Sequence, residues 1–358
     1  MSAEYYKFIY LLLVVIFTSN ALNTFQIDKY NPKSKSTAKI ICAVFIILLG
    51  TRPYSDMFVD MGLYYNYLYG YYGDNSNFAF DWNAENLIFD NIETFCAYIG
   101  LDPLLHFLLF ATIYFGCILT ACNKMFPKHS LIAFICYCGA FSTFSYCVNG
   151  YKSGSAAAIF LVALAYRDNL KISVPMALLS WGFHHSMQLP FAAFVLTQFY
   201  NKPKIFYYFW YVCAFLSLFN ISFFQALFVS FSDEKGASYL SIARRNEEWG
   251  GGTGFRFDFL LYSSVPVIVG WWTINKIKIQ DVFYNRILCM YLVTNSVWLL
   301  CMYAPYNNRI AYLSWFMYPI VLLYPFFNNQ FGTLGTRYIK NTVWYHLAFT
   351  LVMSFIYY

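Results

Sequence analysis

Residues 149–169 read NGYKSGSAAAIFLVALAYRDN, and residues 170–190 continue LKISVPMALLSWGFHHSMQLP. A Gly-Tyr-Lys-Ser-Gly turn runs straight into a helix of small apolar residues. That helix stops at the charged loop Arg167-Asp168-Asn169-Leu170-Lys171. The second apolar run is broken in its middle by Phe183-His184-His185-Ser186. Lys152 therefore stands at one membrane edge and two histidines stand inside an apolar segment. Ionisable groups are costly there, which makes them functional candidates by default.

The rest of the chain repeats this pattern of apolar runs. It is 60% hydrophobic, 23% aromatic and only 11% charged, where a soluble domain carries about a quarter charged residues. Water cannot be the solvent for most of such a surface. The expected class is an all-α, polytopic integral membrane protein of about 11 transmembrane helices. A broken or re-entrant segment is expected at residues 173–199. No strand-period alternation supports an outer-membrane barrel. The net charge of +6 reads as loop asymmetry, because no run of five basic residues exists, and it gives no reason to expect nucleic acid as a partner. The ten cysteines lie almost all in apolar runs, without CxxC or Cys/His spacing, so they read as small hydrophobes. No metal or cofactor is expected. Residues 9–17 could pass for a signal-peptide core, but no small-x-small cleavage site follows, so they are read as the first span.

Lys29, Lys33, Lys35 and Lys39 follow that first span and place their loop in the cytoplasm. Residues 51–102 hold one basic residue, Arg52, against eight acids, and are expected to be extracytoplasmic. Within them, Leu87, Ile88, Ile92, Phe95 and Ile99 form a helical stripe, read as a helix lying along the outer interface. Further spans are expected at residues 103–122, 131–148 and 153–166. Loops 167–171 and 200–204 are both basic. Both can be cytoplasmic only if residues 173–199 enter the membrane and turn back, and a single kinked span is the alternative. Residues 230–256, with Arg244, Arg245 and a GGGTG hinge, are expected to form a second extracytoplasmic loop. No second domain or tandem repeat is visible, so residues 1–358 read as one polytopic membrane domain.

Four polar groups fall at the outward edge of this map. The first is Arg52 with Asp56, Asp60 and Tyr64, the last three spaced by four and so expected on one helix face. The others are Lys152, the pair His184/His185, and Arg309 at the start of a late span. Arg244, Arg245 and Arg256 of the large loop can reach the same place. Arg52 and Lys152 read equally well as single cations snorkelling from helix ends. Arg244-Arg245 with Glu247-Glu248 also reads as a solvated helix face. The small-residue run after Gly150 permits close helix packing. No nucleotide motif, acidic metal pair or HExxH is present. A cationic edge with a histidine suits a lipid-diphosphate leaving group, which needs fixed positive charge as its bond breaks. It also suits an attacking sugar hydroxyl, which needs a base within hydrogen-bond reach.

At these residues the chain resembles the Wzy-type polysaccharide polymerases, in their EpsG-like branch. The resemblance lies in Arg52, Asp60 and Tyr64 after the second span, and in Glu85 and Gly100 before the third. It continues in Asn149-Gly150-Tyr151-Lys152-Ser153-Gly154, in Phe183-His184-His185-Ser186, and in Arg309 opening a Tyr-rich span. At Lys152-Ser153 the family pattern is usually Arg-Gln; Lys keeps the charge but not the two-pronged phosphate geometry. The resemblance implies polymerisation of undecaprenyl-diphosphate-linked oligosaccharide repeats at the outer face of the inner (plasma) membrane, with the lipid bilayer, a flippase and a chain-length regulator as surroundings and partners. His184, His185, Arg309 and Asp60 are the expected catalytic residues. Arg52, Lys152, Tyr64, Arg244 and Arg245 are the expected diphosphate and glycan contacts. A lipid-linked glycan flippase is the first rival, but would show paired repeats and charges along a mid-membrane path. A membrane O-acyltransferase is the second, sharing an intramembrane histidine.

Overall fold

The computed structural model describes residues 2–29, 31–69, 77–219, 254–304 and 307–357. Every regular element among them is helical. In chain order they are α1 (Tyr5–Thr24), α2 (Ser34–Gly50), α3 (Met61–Leu68), α4 (Leu87–Tyr98), α5 (Pro103–Met125), α6 (Ser130–Cys138), α7 (Thr143–Val148), α8 (Tyr151–Ala165) and α9 (Leu170–Phe183). A 3₁₀ turn, His185–Met187, leads to α10 (Gln188–Phe199) and α11 (Pro203–Leu218). Then come α12 (Phe257–Asn275), α13 (Val282–Leu300), α14 (Asn307–Trp315), α15 (Tyr318–Leu323) and α16 (Leu334–Tyr357). The chain divides into two compact units, Met1–His184 with Thr333–Tyr358, and His185–Gly332.

The first unit is built around α8. Its residues from Gly154 to Ala165 are all buried, and a helix apolar on every side belongs inside protein. At 15 residues it is about 22 Å long, shorter than the roughly 30 Å hydrocarbon core. It packs chiefly on α5 and α9. Two serines seven residues apart on α9 seal that second contact: Ser173 donates to the Ala163 carbonyl at 2.8 Å and Ser180 to the Ala156 carbonyl at 2.7 Å. Hydroxyls of this kind hold helices together where there is no water to compete.

The span expected at residues 131–148 is two helices, because the chain breaks between α6 and α7. Three hydroxyls take up the carbonyls freed there. Thr143 donates to Tyr137 at 2.6 Å, Tyr10 of α1 to Cys138 at 2.7 Å, and Thr350 of α16 to Gly139 at 2.7 Å. Broken backbone at membrane depth survives when its polar groups are satisfied in this way. The second interruption, at residues 184–187, falls where the sequence places a break, with His184 in extended conformation after α9.

In the second unit α13 is the buried axis, with no residue from Ile287 to Leu292 more than 1% exposed. Side-chain hydrogen bonds join helices of this unit, Asn295 of α13 among them. The Trp210 indole donates to the Asn295 side-chain oxygen at 2.8 Å, and the Asn295 amide donates to Ser314 at 3.0 Å. The Trp315 indole donates to Ser263 at 2.8 Å. Among the described residues, α1, α5 and α12 are each long and apolar enough to cross a bilayer, and α14 with Tyr318–Phe327 makes a bent fourth candidate with a 43° angle.

Candidate active site

Arg52 follows the C-terminus of α2 and turns inward, only 3% exposed, so it is not a snorkelling cation. The guanidinium caps two helix ends at once. Nη1 donates to the Leu49 carbonyl of α2 at 2.7 Å, and Nη2 to the Val148 carbonyl of α7 at 2.8 Å. Carbonyls at helix C-termini are unpaired and carry partial negative charge, so a fixed cation suits them. The guanidinium also lies 4.6 Å from the centre of the Phe107 ring and 5.6 Å from that of Phe58. Its Nε is buried and has no partner among the described residues. No carboxylate among the described residues forms an ion pair with it. Burial pulls the Arg52 pKa down, opposed by Cys147, Tyr151 and Tyr6; a guanidinium keeps its proton regardless.

Beyond Arg52 lies the buried start of α8. Tyr151 is 1% exposed and sits in an aromatic cage: Tyr64 at 4.3 Å, Phe110 at 5.0 Å, His106 at 5.8 Å, Phe107 at 5.9 Å and Phe89 at 6.0 Å between ring centres. The tight α7–α8 turn that places it needs Gly154, where a Cβ would come within 2.1 Å of the Tyr146 carbonyl oxygen. Lys152, the next residue, is only partly buried. Its ammonium lies 3.9 Å from Asp90 and 5.3 Å from the Phe89 ring centre. Its charge is thus shared with a carboxylate, unlike that of Arg52.

Under the cage is a buried pair that the sequence reading missed. His106 Nε2 meets Glu93 Oε1 at 2.5 Å, with His106 0% and Glu93 4% exposed. Glu93 Oε2, His106 Nδ1 and the Tyr151 hydroxyl are buried without a partner among the described residues. Helix α4 exists as expected, and part of its polar side turns inward. Phe95 and Ile99 are exposed, while Phe89, Glu93, Cys96 and Ala97 face inward. The helix ends as its glycine suggests, with Gly100 at φ +63 and Leu101 N–H bonded to the Cys96 carbonyl at 2.9 Å, the left-handed cap that favours glycine. The signal for the missed pair was His106 itself, an ionisable side chain inside the run Leu-Leu-His-Phe-Leu-Leu.

The other expected site residues distribute as follows. Asp56, Asp60 and Tyr64 do not share a helix: Asp56 lies in a turn, and α3 begins only after Asp60, its N-cap. The residue before a proline disfavours helix, and Arg52-Pro53 keeps the segment irregular. Glu85 is exposed ahead of α4. Thus the structure gathers Arg52, Tyr64 and Lys152 around Tyr151 and Phe89, within the first unit. His184 ends α9 in that unit, whereas His185 and Arg309 belong to the second, Arg309 exposed in the first turn of α14. Arg256 is held by Asp258 through two bonds of 3.0 and 2.8 Å and lies 3.8 Å from the Phe259 ring centre. Arg244, Arg245 and the large loop up to residue 253 lie outside the described residues.

Long apolar helices that bury an arginine, a glutamate and a histidine together define an all-α membrane protein with an internal polar site. The chain belongs to the EpsG family, whose model matches residues 35–358. Membership points to a polymerase-type enzyme of polysaccharide biosynthesis. No curated protein and no solved structure matches the chain.

Proposed function

We propose that this protein is a membrane glycosyltransferase of the multi-pass type, with about 11 membrane crossings once its shorter helices are counted with the long ones. It joins undecaprenyl-diphosphate-linked oligosaccharide repeats into a surface polysaccharide (O-antigen, capsule or exopolysaccharide) at the outer face of the plasma membrane. The observation that carries this reading is the buried Arg52 guanidinium, docked on two helix ends and free of any carboxylate among the described residues. A fixed cation in a poorly screened site stabilises charge on a departing diphosphate oxygen without reorganising. Arg52 is the principal diphosphate contact, with Lys152 and Tyr64 as further contacts of the first unit; Arg309, Arg244 and Arg245 are the contacts expected from the sequence of the second. His184 or His185 and Asp60 position the acceptor or take part in proton transfer. A flippase that delivers the repeat and a chain-length regulator are the protein partners.

Proteoliposomes holding the purified protein and an undecaprenyl-diphosphate-linked repeat test this directly. The expected result is a ladder of polymer on a gel with stoichiometric release of undecaprenyl diphosphate. Movement of the repeat across the bilayer with no new glycosidic bond would instead identify a flippase.

A further inference from the structure

Buried charges of opposite sign usually pair. Here they do not. The Arg52 guanidinium lies against Phe107 and the Glu93 carboxylate against His106, and both of those rings pack on Tyr151. Each keeps an unpartnered polar atom among the described residues, Arg52 Nε and Glu93 Oε2, and Tyr151 keeps its hydroxyl. A carboxylate serving only to dock α4 on α5 gains nothing from a second buried oxygen left unbonded, which costs free energy. A cation and a carboxylate buried around one tyrosine without pairing to each other have the polarity that glycosyl transfer needs at its two ends.

We propose that Glu93, oriented by His106, is the base that accepts the acceptor's hydroxyl proton, with Arg52 as the site for the leaving diphosphate. This rests on the polymerase reading above. In the step, the acceptor oxygen bonds to the anomeric carbon of the lipid-linked donor glycan, while the bond from that carbon to the diphosphate oxygen breaks. The bonding electrons leave on polyprenyl diphosphate, and the hydroxyl proton passes to Glu93 Oε2. His106, whose Nε2 meets the other carboxylate oxygen, is a positioning residue. Glu93 is carried by α4, twelve residues long and packed chiefly on α3 and α9. The role of His184 and His185 then reduces to positioning.

The test uses the full-length protein in proteoliposomes with the undecaprenyl-diphosphate-linked repeat, read as polymer formed against donor concentration. Glu93→Gln keeps the size and an oxygen for His106 but cannot take a proton. It should lower turnover by at least about 100-fold, with donor KM little changed. Glu93→Asp should recover part of the rate. If E93Q does not assemble, His106→Gln, which keeps a donor at the Nε2 position, must lower turnover with donor KM unchanged; unchanged turnover overturns the proposal. Normal polymer from E93Q overturns the role of Glu93 alone. Absence of polymer from the unsubstituted protein overturns the polymerase reading and this role with it.

Discussion

Gly154→Ala sets two effects of opposite sign against each other. In a helix interior, exchanging glycine for alanine favours folding by about 1 kcal/mol. At this position the new methyl would sit 2.1 Å from the Tyr146 carbonyl oxygen, 3.0 Å from its carbon and 3.2 Å from the Tyr114 ring. Relieving the first contact means parting α7 from α8 by about 1 Å, and the obstacle is backbone, which cannot rotate away. Overpacking costs about 1–3 kcal/mol, and this site belongs at the top of that range. The net expectation is a loss of about 2 kcal/mol, or a fall of some 4–8 °C in Tm on the scaling of about 2–4 °C per kcal/mol. Scanning fluorimetry of detergent-solubilised protein measures it. Gly116→Ala is the control, because a Cβ there meets nothing within 4 Å, and its Tm should hold or rise. Since the same turn places Tyr151 and Lys152, polymer yield should fall in Gly154→Ala and not in Gly116→Ala. A Gly154→Ala protein as stable as its parent would show that the α7–α8 turn is not packed as described.

Arg52→Ala should abolish polymer and also destabilise, since two helix ends lose a charged donor worth about 1.5–3 kcal/mol each; Arg52→Lys should retain the fold better than the activity, read as Tm against ladder. Arg309→Lys should keep partial activity and Arg309→Ala almost none, with both proteins at normal level in the membrane, as polymer gels and immunoblots would show. Alanine at His184 and at His185, taken singly, should differ sharply in polymer yield, because the extended His184 follows α9 while His185 opens the 3₁₀ turn, so the two rings leave the backbone in different local conformations. Labelling of Lys202→Cys, in a cysteine-free background, by an impermeant reagent from outside would rule out the re-entrant course for residues 173–199.

Much of the fold was legible because apolar runs and their charged punctuation are local. The ends of α1, α5 and α8 lie within a few residues of the expected spans, and the break after Phe183 falls at its histidines. The division of residues 130–148 into α6 and α7 was not legible. Its support comes from Tyr10 and Thr350, far away in the chain. The site was half legible, for a related reason. A lone cation after a span end, such as Arg52, stands out in sequence, but whether it points to water or inward depends on which carbonyls await it. Glu93 was hidden because the polar side of a helix lying along the interface reads as facing water. In lipid, apolar residues can face outward, and the polar side carries the site.

The hydrogen bond from Thr350 to Gly139, together with the 3.6 Å approach of Cys136 Sγ to His346 Nδ1, has a consequence for biogenesis. The first unit contains residues translated at the start and at the end of the chain, with all of the second unit made in between. When the ribosome has finished α8, the broken segment at Gly139 still lacks one of its three donors. It gains that donor only after some two hundred further residues have been inserted; the two bonded residues are 211 apart in sequence. Until α16 is inserted, that carbonyl lacks its Thr350 donor. A chain terminated before α16 would expose a bare carbonyl at membrane depth, a mark by which membrane proteases could tell incomplete copies from finished ones.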